Sequence, residues 1–139
     1  MQRLDKVATI SRAKKGKVYA AGTIIIQISA SKGQYFILEE DSEVETKYAT
    51  VNANEDVYPM YLYTVIGLAM DKFMNRLSTG INIQIDTLGE MEVDIRHDYD
   101  KQKDIAELVK RLEWQEKRIE RAIKKMEDFK KYNLDGMFV

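Results

Sequence analysis

The sequence predicts an α+β protein, a small domain built on a β-sheet with one packed helix, followed by a long C-terminal coiled-coil helix. Three stretches carry that expectation. Thr23 to Ser29 is a continuous β-branched run of the kind found in a strand buried on both faces. From Tyr61 to Leu77 the apolar residues recur at helical spacing. After Asp98 an apolar period of 3.5 residues persists over about four heptads with no Gly or Pro. The expected division is therefore 1–97 for the globular domain and 98–139 for the helix with a short apolar tail.

Taken in order, Arg3 to Ile10 alternates weakly and opens as a short helix or strand. Ser11 to Tyr19 reads as a basic loop with Lys14-Lys15-Gly16-Lys17 at its tip. The Thr23–Ser29 strand turns through Ser29-Ala30-Ser31-Lys32-Gly33 into Tyr35–Leu38, a hairpin partner. An acidic surface loop follows, and Tyr48–Val51 reads as a third strand. Asp56 and Pro59 mark a helix start, because proline in the first turn gives up an N–H that has no helical partner. Tyr61, Leu62, Val65, Ile66, Ala69, Met70, Phe73 and Leu77 then form one buried face, and Thr79-Gly80 stops the helix. Ile81, Ile83 and Ile85 alternate with polar residues and read as a strand; Met91, Val93 and Ile95 read as another beyond Gly89.

In the last helix, Ile105, Leu108, Leu112, Gln115, Ile119, Ala122, Met126 and Phe129 occupy the a and d positions, with Gln115 the one polar member. Val109 and Ile123 widen the stripe at e. Asp98 and Asp100 suit the helix N-terminus, and Lys124, Lys125, Lys130 and Lys131 its other end, near Asn133 to Gly136. At 1.5 Å per residue such a helix runs about 50 Å, so its seam needs a second helix, and another copy of the chain is the expected partner.

The chain has 139 residues, a net charge of −1 and no cysteine. Disulfides, thiolate nucleophiles and zinc ribbons are excluded together. Nothing in the sequence resembles a signal peptide and no apolar run reaches membrane length, so the expectation is a cytoplasmic protein. The near-neutral total conceals segregation. Met1 to Leu38 carries seven Lys and Arg against Asp5 alone, whereas Glu39 to Met60 carries seven Asp and Glu against Lys47 alone. A locally basic segment supplies phosphate contacts even in a neutral chain.

The only histidine, His97, has no second ligand for a metal site. Asp41 to Glu45-Thr46-Lys47 superficially matches the carboxylate-carboxylate-lysine set of metal-dependent nucleases, but these acids share one short loop rather than facing each other on a rigid sheet. Phosphate loops and nucleophile elbows are absent. No metal, cofactor or catalytic residue is expected; a non-enzymatic binding module is. Its candidates are the cations Arg12, Lys14, Lys15 and Lys17, the turn residues Ser29, Ser31 and Lys32, and Thr79, Asn82 and Gln84. Asn and Gln are the side chains that hydrogen-bond an adenine edge through both amide atoms. The plainer alternatives are a helix stop for Thr79-Gly80 and the wet face of a strand for Asn82 and Gln84.

The succession Gly22-Thr23-Ile24-Ile25-Ile26-Gln27-Ile28-Ser29-Ala30, Pro59-Met60-Tyr61-Leu62, Thr79-Gly80-Ile81-Asn82-Ile83-Gln84 and Gln102-Lys103-Asp104-Ile105-Ala106 precedes a heptad helix and a terminal Met137-Phe138. In that order the pieces resemble the specificity subunit of type I restriction–modification systems. The resemblance implies a target-recognition domain that reads double-stranded DNA and recruits a methyltransferase subunit, and through it the restriction subunit. It also implies an antiparallel pair of long helices with a recognition domain near each end. The family's usual subunit carries two such domains and two such helices; this chain has one of each, and Asp94-Ile95-Arg96-His97-Asp98 replaces the usual Pro-rich link.

The expected function is a half-sized specificity subunit whose homodimer reads a bipartite inverted site. The rival is a specificity-like interaction protein that binds methyltransferase or specificity subunits without reading DNA.

Overall fold

The computed structural model describes residues 1–77 and 82–137, with side chains through 133. Its elements are β1 (Gln2–Arg3), α1 (Leu4–Val7), β2 (Ala8–Arg12), β3 (Val18–Tyr19), β4 (Ile24–Gln27), β5 (Tyr35–Ile37), β6 (Ser42–Glu43), β7 (Tyr48–Ala53), α2 (Pro59–Arg76), α3 (Ile85–Gly89), β8 (Glu92–Val93) and α4 (Tyr99–Met137). The chain forms two compact units, Met1–Ala106 and Glu107–Val139. Among the described residues no helix is long and apolar enough to cross a membrane.

The centre of the first unit is a four-stranded sheet in the order β2-β7-β4-β5, all neighbours antiparallel. Its β4 strand explains the unbroken isoleucine run. Ile24 and Ile26 enter the main core with Ala49 and Val51 of β7 and Leu62, Val65 and Ile66 of α2. Ile25 faces the other way, into a second small core with Ala13, Tyr19 and Val44 beneath the β3/β6 ribbon. With apolar cover on both faces, all three isoleucines are fully buried, and the alternation expected of a one-sided strand vanishes. The expected hairpin is present, with Ile24 opposite Ile37 and Ile26 opposite Tyr35. Helix α2 lies close over β5. A Cβ added at Gly67 would come within 2.5 Å of the Tyr35 hydroxyl, so only glycine permits that approach.

Arg3 to Ile10 divides between the two options its pattern left open, a helical turn and then a strand. That strand continues through Ser11 and Arg12, so the basic loop begins later than expected, and Val18–Tyr19 forms a short ribbon with Ser42–Glu43. A larger correction concerns Ile81 to Ile85. Asn82 to Gln84 belong to no strand, and Ile85 opens a short helix. Ile83 is buried and its N–H reaches the Ile28 carbonyl at 2.8 Å. Among the described residues that bond is not continued as a ladder, so Ile83 is buried in an irregular segment. Met91, Val93 and Ile95 are buried as expected, but only Glu92–Val93 pairs, with Gln2–Arg3. The Thr79-Gly80 stop, Ile81 and the terminal Phe138 and Val139 lie outside the described residues.

The long helix starts where the acids placed it. The Lys101 N–H donates to the Asp98 carboxylate at 3.2 Å, a side-chain cap for an otherwise orphaned donor. It continues to Met137, past the expected end. Its first turns pack into the globular unit through Gln102, which is 1% exposed. The Gln102 amide accepts from the Tyr58 N–H at 2.9 Å and donates to the Arg96 and Asp56 carbonyls, the latter at 3.4 Å. Asp56, Tyr58 and Arg96 are thereby joined to the helix start, and Ala106, itself buried, belongs to the same compact unit.

Candidate nucleic-acid interface

Register decides which loops meet. Arg12 pairs with Ala49, Gln27 with Tyr48, and Ile26 with both Ala49 and Tyr35. The end of β2, the start of β7, the end of β4 and the start of β5 therefore share one end of the sheet. Three loops leave it: Ala13–Lys17, Ile28–Gln34 and Thr46–Lys47. Backbone bonds tie them together. The Ala13 N–H reaches the Tyr48 carbonyl at 3.0 Å, and the Lys47 carbonyl accepts from Ile28 at 2.9 Å and Ser29 at 3.2 Å. The Arg12 guanidinium donates to the Thr46 carbonyl at 2.8 Å.

This end carries Arg12, Lys14, Lys15, Lys17, Lys32 and Lys47. Lys14, Lys15, Lys17 and Lys32 are exposed. The loop between them is shaped by Gly16, whose φ of +82° favours glycine, and by the Tyr19 hydroxyl, which accepts from the Lys14 N–H at 2.9 Å. Lys17 lies over the Tyr19 ring at 5.2 Å. Two acids adjoin the cluster. Glu43 pairs with Val18 in the ribbon, and Glu45 stands 3.6 Å from Lys47 in an exposed pair, which contributes little.

The opposite end receives the loops around Leu38–Asp41 and Asn54–Asp56. There Glu39, Glu40, Asp41, Glu55 and Asp56 outnumber Lys6, whose carbonyl accepts from Asn54 at 3.1 Å. The charge segregation of the sequence becomes a polarity along the strands. Asp41 accepts from the Ala21 N–H at 2.9 Å, while Glu45 faces Lys47, so the nuclease-like carboxylates are engaged separately. His97 is exposed, 3.2 Å from the Gln2 amide.

The remaining candidates divide. Asn82 joins the cationic end, its carbonyl accepting from the Ala30 N–H at 3.1 Å. Ser29 is half-buried in the same turn. Ser31 is 4% exposed and its hydroxyl accepts from the Gly33 N–H at 3.1 Å, so it serves the turn. Gln84 is exposed at the start of α3 and makes no cap with its side chain. Thr79 lies outside the described residues. Sequence reasoning missed Lys47, a lone cation within an acidic run; only strand pairing puts it between the two basic loops. A groove of about 320 Å³, lined by Tyr61, Leu68, Phe73 and Ile105 among others, includes none of the nucleic-acid candidates.

Along α4, Leu108, Leu112, Ile119, Met126 and Phe129 are each more than half exposed, and Gln115 and Ala122 are exposed beside them, while Ile105 is half-buried against the main core. Val109 is half-buried and Ile123 is 49% exposed. These side chains form an exposed apolar row along one face of α4, interrupted by Gln115.

No family model and no curated protein matches the sequence. Solved structures do. A chain from work on complex assembly and conformational transition of the type I R-M system superposes with a TM-score of 0.72 at 12% identity, covering 87% of this chain and 40% of that one. The HsdS subunit from Thermoanaerobacter tengcongensis gives 0.69 at 12% identity, covering 87% and 38%. The type I restriction-modification S subunit from M. genitalium gives 0.67 at 14% identity, covering 78% and 37%. The chain thus spans about two fifths of the length of the structures it matches. Its fold is that of a part of these type I restriction–modification chains, two of them S subunits.

Proposed function

We propose that this chain is a non-catalytic DNA-recognition module of a type I restriction–modification system. It pairs with a second copy through α4, reads an inverted bipartite site and recruits methyltransferase subunits. The observation that carries the reading is the cationic sheet end, where Lys14, Lys15, Lys17, Lys32 and Lys47 meet the Ser29–Gly33 turn and Asn82. Cations at several loop tips supply phosphate contacts, and polar groups between them reach base edges. The fold match supports the family assignment of that interface.

The exposed seam of α4 supports pairing between copies. In an antiparallel pair whose axis passes close to Gln115, Val109 of one copy comes opposite Ile123 of the other, which covers the apolar e positions. The same pairing sets Arg111 opposite Lys125 of the second copy, a like-charge contact that salt screens. The dimer therefore tightens as salt rises, whereas DNA binding weakens.

Selection from a random duplex library, with and without a type I methyltransferase subunit, tests recognition. Enrichment of an inverted sequence supports it, and no enrichment in either condition contradicts it. Sedimentation equilibrium tests the seam. Leu112→Asp buries an unpaired carboxylate and yields monomer; a wild-type chain that stays monomeric at high concentration and high salt removes the dimer.

A further inference from the structure

The turn from Ser29 to Gly33 is braced to a degree that its exposure does not require. Gln27 donates its amide to the Ser29 carbonyl at 3.0 Å and the Ala30 carbonyl at 3.5 Å. The Lys32 N–H reaches the Gln34 side-chain carbonyl at 2.7 Å, and the Gly33 N–H the Ser31 hydroxyl at 3.1 Å. Asn82, more than fifty positions along the chain, holds the Ala30 N–H at 3.1 Å. Ala30 has φ +47°, the left-handed region that a Cβ disfavours, and is the one non-glycine residue with positive φ among those described. Gly33, at φ +85°, lies so close to α2 that a Cβ would come within 3.0 Å of the Met74 side chain and 3.2 Å of Met70.

The bonds that Asn82 and Gln34 make to Ala30 and Lys32 are exposed and replace bonds to water at little net gain, so those two side chains add little stability there. Their effect is to hold one backbone conformation that the turn would otherwise leave, and preorganisation of that kind raises selectivity for whatever the turn meets. The groups it presents are the Ser29 hydroxyl and the Lys32 amine, neither hydrogen-bonded to a described residue. Both lie among the cations of the sheet end.

We propose that Asn82 is a positioning residue: its carbonyl locks the Ser29–Gly33 turn in the shape that carries Ser29 and Lys32 onto one half-site of duplex DNA, and it reads no base itself. An asparagine that reads adenine presents both its carbonyl and its amino group to the base edge; here the bond from Ala30 takes one of the carbonyl's two acceptor sites and ties the amide to the turn. The inference rests on the DNA-recognition reading above.

The test uses the full chain, with the methyltransferase subunit if selection requires it, and the ratio of affinities for the selected site and a scrambled duplex. Asn82→Asp keeps the acceptor for Ala30 and loses the amino donor; Asn82→Leu loses both. The proposal expects Asn82→Asp to retain the ratio within about twofold while weakening both duplexes, and Asn82→Leu to reduce it about tenfold or more. Amide hydrogen exchange at Ala30 reads the turn directly, with protection retained in the Asp variant and reduced about tenfold or more in the Leu variant. Ser29→Ala combined with Lys32→Ala should lose the ratio yet keep the Ala30 protection. Equal loss of the ratio in the Asp and Leu variants makes Asn82 a base reader and overturns the proposal, as does Asn82→Leu with ratio and protection intact. A wild-type chain with no preference for any duplex overturns the DNA-recognition reading, and the turn's role with it; the exchange measurement then still shows whether Asn82 holds Ala30.

Discussion

At one end of the four-stranded sheet, Gln102 is buried and its amide joins the loop before α2, the segment before α4 and α4 itself. At the other end, Asn82 is exposed and its amide joins the segment after α2 to the β4–β5 turn. The chemistry is the same, a side-chain amide bonded to backbone across a long sequence separation. The surroundings differ, because the Gln102 end is flanked by acids and the Asn82 end by cations. A buried amide leaves orphaned backbone groups when it is lost, so it governs stability. An exposed amide is replaced by water, so its loss changes conformation and leaves stability nearly intact.

Replacing the two amides by leucine sharpens the contrast. Gln102→Leu strands the Tyr58 N–H and the Arg96 carbonyl and should cost about 2–4 kcal/mol, read from urea denaturation. Half-site preference should survive in the molecules that remain folded. Loss of all three cations in Lys14→Ala, Lys15→Ala and Lys17→Ala should weaken binding to every duplex roughly ten- to a hundredfold near physiological salt. Asn82→Leu should cost no more than about 1 kcal/mol in the same denaturation, because the Ala30 N–H finds water. If Asn82→Leu destabilises as much as Gln102→Leu, the difference between buried and exposed braces is wrong.

The sequence made one of the two braces visible and hid the other's meaning. Gln102 stood out only as part of the stretch Gln102–Ala106 that carries the family resemblance; its burial depends on partners such as Tyr58, distant in sequence. Asn82 was visible as a polar residue between isoleucines, and alternation suggested a wet strand face. Alternation cannot distinguish a strand from an irregular segment that buries Ile83 through one backbone bond. The elements with strong local signals were legible: the isoleucine strand, the proline-started helix and the heptad helix. The grouping of Arg12, Lys14, Lys32 and Lys47 was not, since it follows from strand order and register, which no local pattern encodes.

Charge polarity along the sheet underlies the proposed DNA interface, and the salt dependence of duplex binding tests it most directly. Two variants are compared with the wild type over a range of salt: Lys14, Lys15 and Lys17 replaced by Ala, and Glu39, Glu40 and Glu55 replaced by Gln. Each lost phosphate contact lowers the slope of log affinity against log salt by about 0.9. The lysine variant should therefore lose roughly two to three units of slope, and the glutamate variant should keep the wild-type slope with affinity changed less than about threefold. Equal slopes in all three proteins, or a slope that changes with the glutamates and not with the lysines, would contradict a DNA interface at the cationic end.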